Sequence, residues 1–194
     1  MRVIAGKYRG RRLKGPEGLE MRPTGDRLKE SLFSMLSPVL PDAVVLDCFS
    51  GTGSMGIEAL SRGAKKAVFI EVSKVNCRLI RKNLQLCDIA SGARIIQEDV
   101  FGALRALGRE GFKADVIFFD PPYGFEPYKD LLEIVFNRGL LAPDAIVVIE
   151  HHRKTVLPEE GENYRRTRVS RQGDQCLSFY SKHSGHFEYS DAND

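Results

Sequence analysis

Val44-Val45-Leu46-Asp47-Cys48-Phe49-Ser50-Gly51-Thr52-Gly53-Ser54 decides the fold class. A short apolar run suited to a buried strand reaches an acid and passes two glycines in quick succession. It then enters a segment in which Met55, Ile57, Ala59 and Leu60 are among the apolar positions, which reads as strand, tight turn and helix. Glycines at such a junction let a ligand approach the backbone closely, with the positive end of the helix behind it. Gly51, Gly53 and Gly56 satisfy the spacing G-x-G-x-x-G, and Glu71 closes the next apolar run, Ala67–Ile70, at the distance expected of an acid that binds ribose hydroxyls.

Working outward, strand and helix patterns alternate. A helix over Ser73 to Leu86 precedes a strand at Arg94–Gln97, and a helix through Ala103, Leu104 and Leu107 precedes Ala114–Phe119. A helix over Tyr128 to Phe136 leads to a fifth strand, Ala145–Glu150. This alternation implies parallel pairing through right-handed crossovers, hence an α/β, doubly wound, mostly parallel sheet. Arg165–Ser170 and Cys176–Lys182, joined through Gly173-Asp174, add an antiparallel hairpin and bring the strands to seven. Ahead of the sheet, residues 1–20 read as a small hairpin or extended arm. A helix capped by Thr24 follows, with Leu28, Leu32, Phe33, Met35 and Leu36 at helical spacing, and ends near Pro38. The expected organisation is a basic arm and helix over 1–40, the main domain over 41–183 and a frayed polar tail over 184–194.

The chain has 194 residues, 42% hydrophobic and 28% charged, which fits one well-buried core and contains no apolar run long enough to span a bilayer. Met1 to Lys7 hold no apolar signal core. Cys48, Cys77, Cys87 and Cys176 form no Cys-x-x-Cys pair, so they are expected to be buried reduced thiols of a cytoplasmic protein. His151-His152 lack further ligands, and no metal is expected. The net charge of +3 is unevenly spread: residues 1–30 carry nine Lys and Arg against four Asp and Glu, whereas residues 31–150 carry thirteen against fifteen. Arg9, Arg11, Arg12 and Lys14, beside Tyr8, read as a phosphate-binding arm, with a solvated surface segment as the alternative.

The fourth strand runs into Asp120-Pro121-Pro122-Tyr123. Two prolines remove two backbone donors and hold the chain extended, so a carboxylate and a carbonyl can accept both hydrogens of a planar NH2 group while Tyr123 covers its face. Asp47, Glu71, Asp99 and Asp120 then form a row of acids at successive strand ends. Each alone could be only a helix cap. An adenosine-containing cofactor fits the set, and Asp47 at the start of the turn suits the ammonium group of S-adenosylmethionine better than a pyrophosphate.

Arg22-Pro23-Thr24, Asp26-Arg27-Leu28-Lys29-Glu30-Ser31-Leu32-Phe33, Asp47-x-Phe49-x-Gly51-x-Gly53, Glu58-Ala59-Leu60-Ser61-Arg62-Gly63-Ala64 and Asp120-Pro121-Pro122-Tyr123 together resemble the bacterial 16S ribosomal RNA guanine-N2 methyltransferases. The resemblance covers nearly the whole chain and weakens after Glu150; Gly25 departs from the threonine common there. It implies a Rossmann-like class I methyltransferase acting, as a monomer, on ribosomal RNA or the assembling small subunit. Asp47, Phe49, Gly51, Gly53, Glu71, Asp99 and Val100 would hold S-adenosylmethionine, Thr24 and Arg27 would close over the site, and Asp120, Pro121, Pro122 and Tyr123 would be catalytic. Arg9, Arg11, Arg12, Lys14, Arg22, Arg165, Arg166 and Arg168 would bind RNA. A DNA adenine-N6 methyltransferase, a noncatalytic RNA-binding assembly factor and an NAD-dependent oxidoreductase stand as alternatives.

Overall fold

The structure, a computed structural model, describes residues 1–15 and 23–183. The 184–194 tail, Arg22 and the side chain of Thr24 lie outside the described residues. Seven strands form one sheet in the order β3-β2-β1-β4-β5-β7-β6. The parallel part holds β1 (Val44–Cys48), β2 (Lys66–Ile70), β3 (Ala93–Ile96), β4 (Ala114–Phe119) and β5 (Leu141–His152). The antiparallel pair β6 (Arg165–Gln172) and β7 (Gln175–Ser181) extends it beyond β5. The strand order reverses between β1 and β4, the crevice where open α/β sheets place ligands.

Side-chain alternation along the strands divides the core in two. Val45, Val116, Phe118, Ile146, Val148, Leu177 and Phe179 turn to one face and pack beneath α1 (Pro23–Met35), through Leu28, Leu32, Phe33 and Leu36. On the same face Ala67 and Phe69 meet Ile57 of α2 (Ser54–Ser61) and Ile80 and Leu84 of α3 (Lys74–Leu86). Leu46, Val68, Ile117, Phe119, Val147 and Ile149 turn to the other face, under α4 (Val100–Arg109) and α5 (Tyr128–Asn137).

Several boundaries shift by a residue or two, α1 starting at Pro23, one residue ahead of the expected cap Thr24, and two shift further. α1 gives way to a turn after Met35 because Pro38 has no N–H to continue the ladder. β5 begins at Leu141, four residues ahead of the apolar run, because Leu141 pairs with Ala114 across a register shift before regular pairing resumes at Val116. The amino-terminal arm folds back on itself through an Arg2–Arg12 bridge and buries Val3 and Leu13 against α2 and α3.

Candidate active site

In the register Ile70–Cys48–Phe119–Ile149, four residues of adjacent strands lie side by side as the last paired row. One residue further along sit Glu71, Asp120 and Glu150; one residue earlier on β1 sits Asp47. Since Ile70, Cys48, Phe119 and Ile149 face α4 and α5, alternation sends all four acids toward the opposite face, that of α1 and α2. The carboxyl edge of β2, β1, β4 and β5 is therefore lined with carboxyl groups.

Asp47 performs a task usually left to a cap residue. The N-cap of α2 is Gly53, which has no side chain, and Asp47 Oδ2 instead accepts from Gly56 N at 2.9 Å. The turn between them is held from β2: Ser50 donates to the carbonyls of Asp47 and Ile70, and Glu71 accepts from Gly51 N and from Ser73 N, each at 2.8 Å. Phe49 has φ 57, a left-handed conformation unusual for an aromatic residue, and its ring packs on Phe125 at 5.3 Å and Phe119 at 6.5 Å. Gly51 has φ +54, and a Cβ there would meet only Phe49 O at 3.9 Å, so the turn leaves open space for a ligand. Gly56 answers to packing: a Cβ would stand 2.4 Å from the Phe69 ring.

Asp120 N reaches Cys48 O at 3.5 Å, which places the head of the acceptor turn beside the start of the glycine turn. Pro122 O accepts from Phe125 N and closes the turn, which leaves Pro121 O uncommitted among the hydrogen bonds of the described residues. Tyr123 is fully exposed. Behind it Phe125 stacks on Phe101 and meets Tyr128 edge-on, an aromatic cluster joining the acceptor turn to the start of α4. Asp99 caps α4, its Oδ1 accepting from Phe101 N and Gly102 N, so here the capping role expected of an acid in such a turn is realised.

Removal from water dominates the electrostatics of the row. Burial pushes Asp47 up to about 8 against the hydrogen bond from Gly56, with Asp120 and Glu71 adding to the rise. Burial, with Asp120 beside it, lifts Glu150 to about 8. Burial also raises Asp120, but only to about 6, and the residue keeps an exposed surface. Near neutrality Asp120 is thus ionised between two protonated neighbours, Asp47 and Glu150.

The basic residues scatter. The arm is held by Glu58, fully buried on α2, which accepts from Ile4 N and Ala5 N and pairs with Arg62 at 2.8 Å and Lys29 at 3.3 Å. Asn83 of α3 accepts from Lys14 N and donates to Lys14 O and to Thr52 O of the glycine turn, so one amide ties arm to turn. Arg11 pairs with Asp88 and Arg166 with Glu159, while Arg9, Arg12, Lys14 and Arg165 are exposed. Arg27 lines a groove of about 440 Å³ between α1 and β6 with Arg168 and Ser170, well along the sheet from the glycine turn. A second cleft, of about 430 Å³, lies between α4 and α5 along Phe101, Arg105, Pro127, Asp130, Glu133 and Ile134. Glu150 and Asn83 carry no motif, and Glu58 stands in the Glu58–Ala64 motif with no role assigned to it. The one signal for Glu150 was an acid ending an apolar strand next to the acceptor turn.

The model of a family described as "Conserved hypothetical protein 95" matches residues 1–181. Among similar proteins, "Ribosomal RNA small subunit methyltransferase D" of Escherichia coli K12 is 34% identical over 94% of this chain and 90% of its own length. The protein of the same description from Haemophilus influenzae is 38% identical over 77% and 78%. The solved yhhF protein of Escherichia coli superposes with TM-score 0.78 at 31% identity, over 94% of this chain and 97% of that one. A solved protein of Thermus thermophilus gives 0.78 at 28%, over 92% and 98%.

Proposed function

The chain belongs to the Conserved hypothetical protein 95 family, and on that premise we propose that it is an S-adenosylmethionine-dependent methyltransferase acting on ribosomal RNA, at the exocyclic N2 of a guanine in the small-subunit RNA. The observation that carries this reading is the juxtaposition of an ionised, open Asp120 with the Gly51 turn on the neighbouring strand. The relatives described as ribosomal RNA small subunit methyltransferase D supply the substrate class, and the resemblance noted above supplies the choice of atom.

The residues present fit such a cofactor. The open turn at Gly51 accepts a ligand against the backbone, the buried Asp47 offers a carboxyl group to a cationic amine, and Glu71 retains lone pairs beyond the two backbone bonds it accepts. Bound there, S-adenosylmethionine supplies an electrophilic methyl group whose bond to sulfur breaks as the new N–C bond forms, the electron pair staying on sulfur. Asp120 and Pro121 O accept the two hydrogens of the target amine, which draws its lone pair out of conjugation and aims it along one direction. Asp120 takes the proton the amine must then give up. Tyr123, fully exposed, stacks on a base splayed from its helix, an interaction of about 1–3 kcal/mol. Arg9, Arg12 and Lys14 on the arm, with Arg165 and Arg168 at the opposite sheet edge, bind phosphates on either side. The arm with α1, residues 1–40, then serves as a substrate-facing appendage to the 41–183 domain.

The test is transfer of a labelled methyl group to small-subunit RNA, free or in the particle, followed by mapping of the labelled nucleotide. D120A is expected to abolish transfer while leaving the melting curve and cofactor titration in place. Label on adenine would replace the guanine assignment, and undiminished turnover by D120A would remove that carboxyl from the chemistry.

A further inference from the structure

Glu150 lies next to the acceptor turn, and nothing in the reading above uses it. Ile149 pairs with Phe119 in the parallel β4–β5 ladder, so Glu150 and Asp120 are neighbours in register on adjacent strands, about 4.8 Å apart at the backbone. Val148 and Phe118 face α1 while Ile149 and Phe119 face α4 and α5, so alternation sends both carboxyl groups to the α1 face. The antiparallel partner of Glu150 on β7 is the buried, apolar Leu177, and Glu150 has no ion pair among the described residues. The Asp120 charge also raises Asp47 on β1 and Tyr128 on α5. Two acids sharing one half-enclosed edge cannot both ionise cheaply.

We propose that Glu150 is a positioning residue for the transfer reaction: its protonated carboxyl donates to Asp120, holding that carboxylate ionised and aimed at the target amine. This rests on the proposed function and adds a partner to it. The direction of the two shifts agrees, Glu150 holding its proton to about pH 8 while Asp120 releases its own near 6. Activity then needs Asp120 ionised and Glu150 protonated, so the rate passes through a maximum between these two values.

The experiment compares wild type, E150Q and E150A in single-turnover methyl transfer to small ribosomal subunits from pH 5 to 10. E150Q retains a donor toward Asp120 at every pH, so its rate at pH 7 stays near wild type and its alkaline limb disappears. E150A loses the donor and about 100-fold in rate at pH 7, with the cofactor titration unchanged. A wild-type alkaline limb that persists in E150Q, or an E150A rate equal to wild type, overturns the proposal. Infrared difference titration of the full chain without RNA, in a D47N background because Asp47 also titrates near pH 8, provides an arm independent of turnover. A protonated-carboxyl band lost near pH 8 in D47N and missing in D47N/E150Q supports the pairing. An identical band in both overturns it, even if no RNA substrate is methylated and the proposed function has itself failed.

Discussion

Replacing Asp47 by asparagine should make the cofactor-free protein more stable and cost it its ligand. Asp47 ionises near 3.8 in the unfolded chain and near 8 in the folded one. Between those values the folded state holds a proton that the unfolded state has released, so stability falls as pH rises. The penalty is absent below about pH 4, grows through the window and is complete above about pH 8. At pH 7 roughly three pH units of it apply, which at about 1.4 kcal/mol each is on the order of 4 kcal/mol. An asparagine carbonyl can still accept from Gly56 N, so the stand-in cap of α2 survives. D47N should therefore gain about 2–4 kcal/mol at pH 7, allowing for relaxation around the carboxyl group, or about 4–16 °C in Tm. Calorimetry of both proteins from pH 4 to 9 should show the gain shrinking to nothing at the acid end, and titration with S-adenosylmethionine should show at least about a tenfold loss of affinity, because the bound cation would draw the proton off Asp47 and make a charge-assisted bond that asparagine lacks. A D47N protein that is less stable at pH 8, or a difference that ignores pH, would refute the reasoning.

E58A leaves two backbone amides, Lys29 and Arg62 without their shared acceptor, and should cost about 3–5 kcal/mol in denaturant unfolding with early hydrogen exchange at Ile4 and Ala5; slow exchange there would mean that the arm is held elsewhere. Neutralising Arg9 and Arg12 together should weaken binding of small-subunit RNA and lower the slope of log affinity against log salt by about 1.4–1.8, with the cofactor titration unmoved; an unchanged slope would return both to an ordinary solvated surface. G56A drives a methyl group into the Phe69 ring and should destabilise by about 1–3 kcal/mol in chemical unfolding; a neutral result would show that the ring can step aside.

The doubly wound sheet was legible because local and global signals agree there. The Val44 run, the glycines and the Ala114 run each read correctly on their own, and parallel order follows from their alternation. The turn at Asp120 was legible for the same reason, since strand four delivers it to the crevice beside β1. What stayed hidden depends on partners remote in sequence. Glu58 reads as an ordinary polar helix position until two amides more than fifty residues away arrive to be satisfied. Asp99 and Glu71 read as ligand acids, and the backbone N–H groups that each also accepts from show only in the folded turns. The basic arm reads as a uniform phosphate grip, but Arg11 spends its charge on Asp88. Glu150 became visible only through register, because only the pairing of β4 with β5 shows which acid stands beside Asp120.

Asn83 joins the arm to the glycine turn, and its place in the sequence imposes a timetable on the growing chain. The arm leaves the ribosome ahead of its berth, which is made by side chains 53 to 69 residues downstream. At about 5–20 residues per second, a stretch of that length takes roughly 3–14 s to synthesise. Until Glu58 and Asn83 have emerged and folded, Lys14 and its neighbours have nothing to dock against. A nascent chain therefore cannot present a finished basic surface to the ribosomal RNA around it before the Thr52 turn has closed.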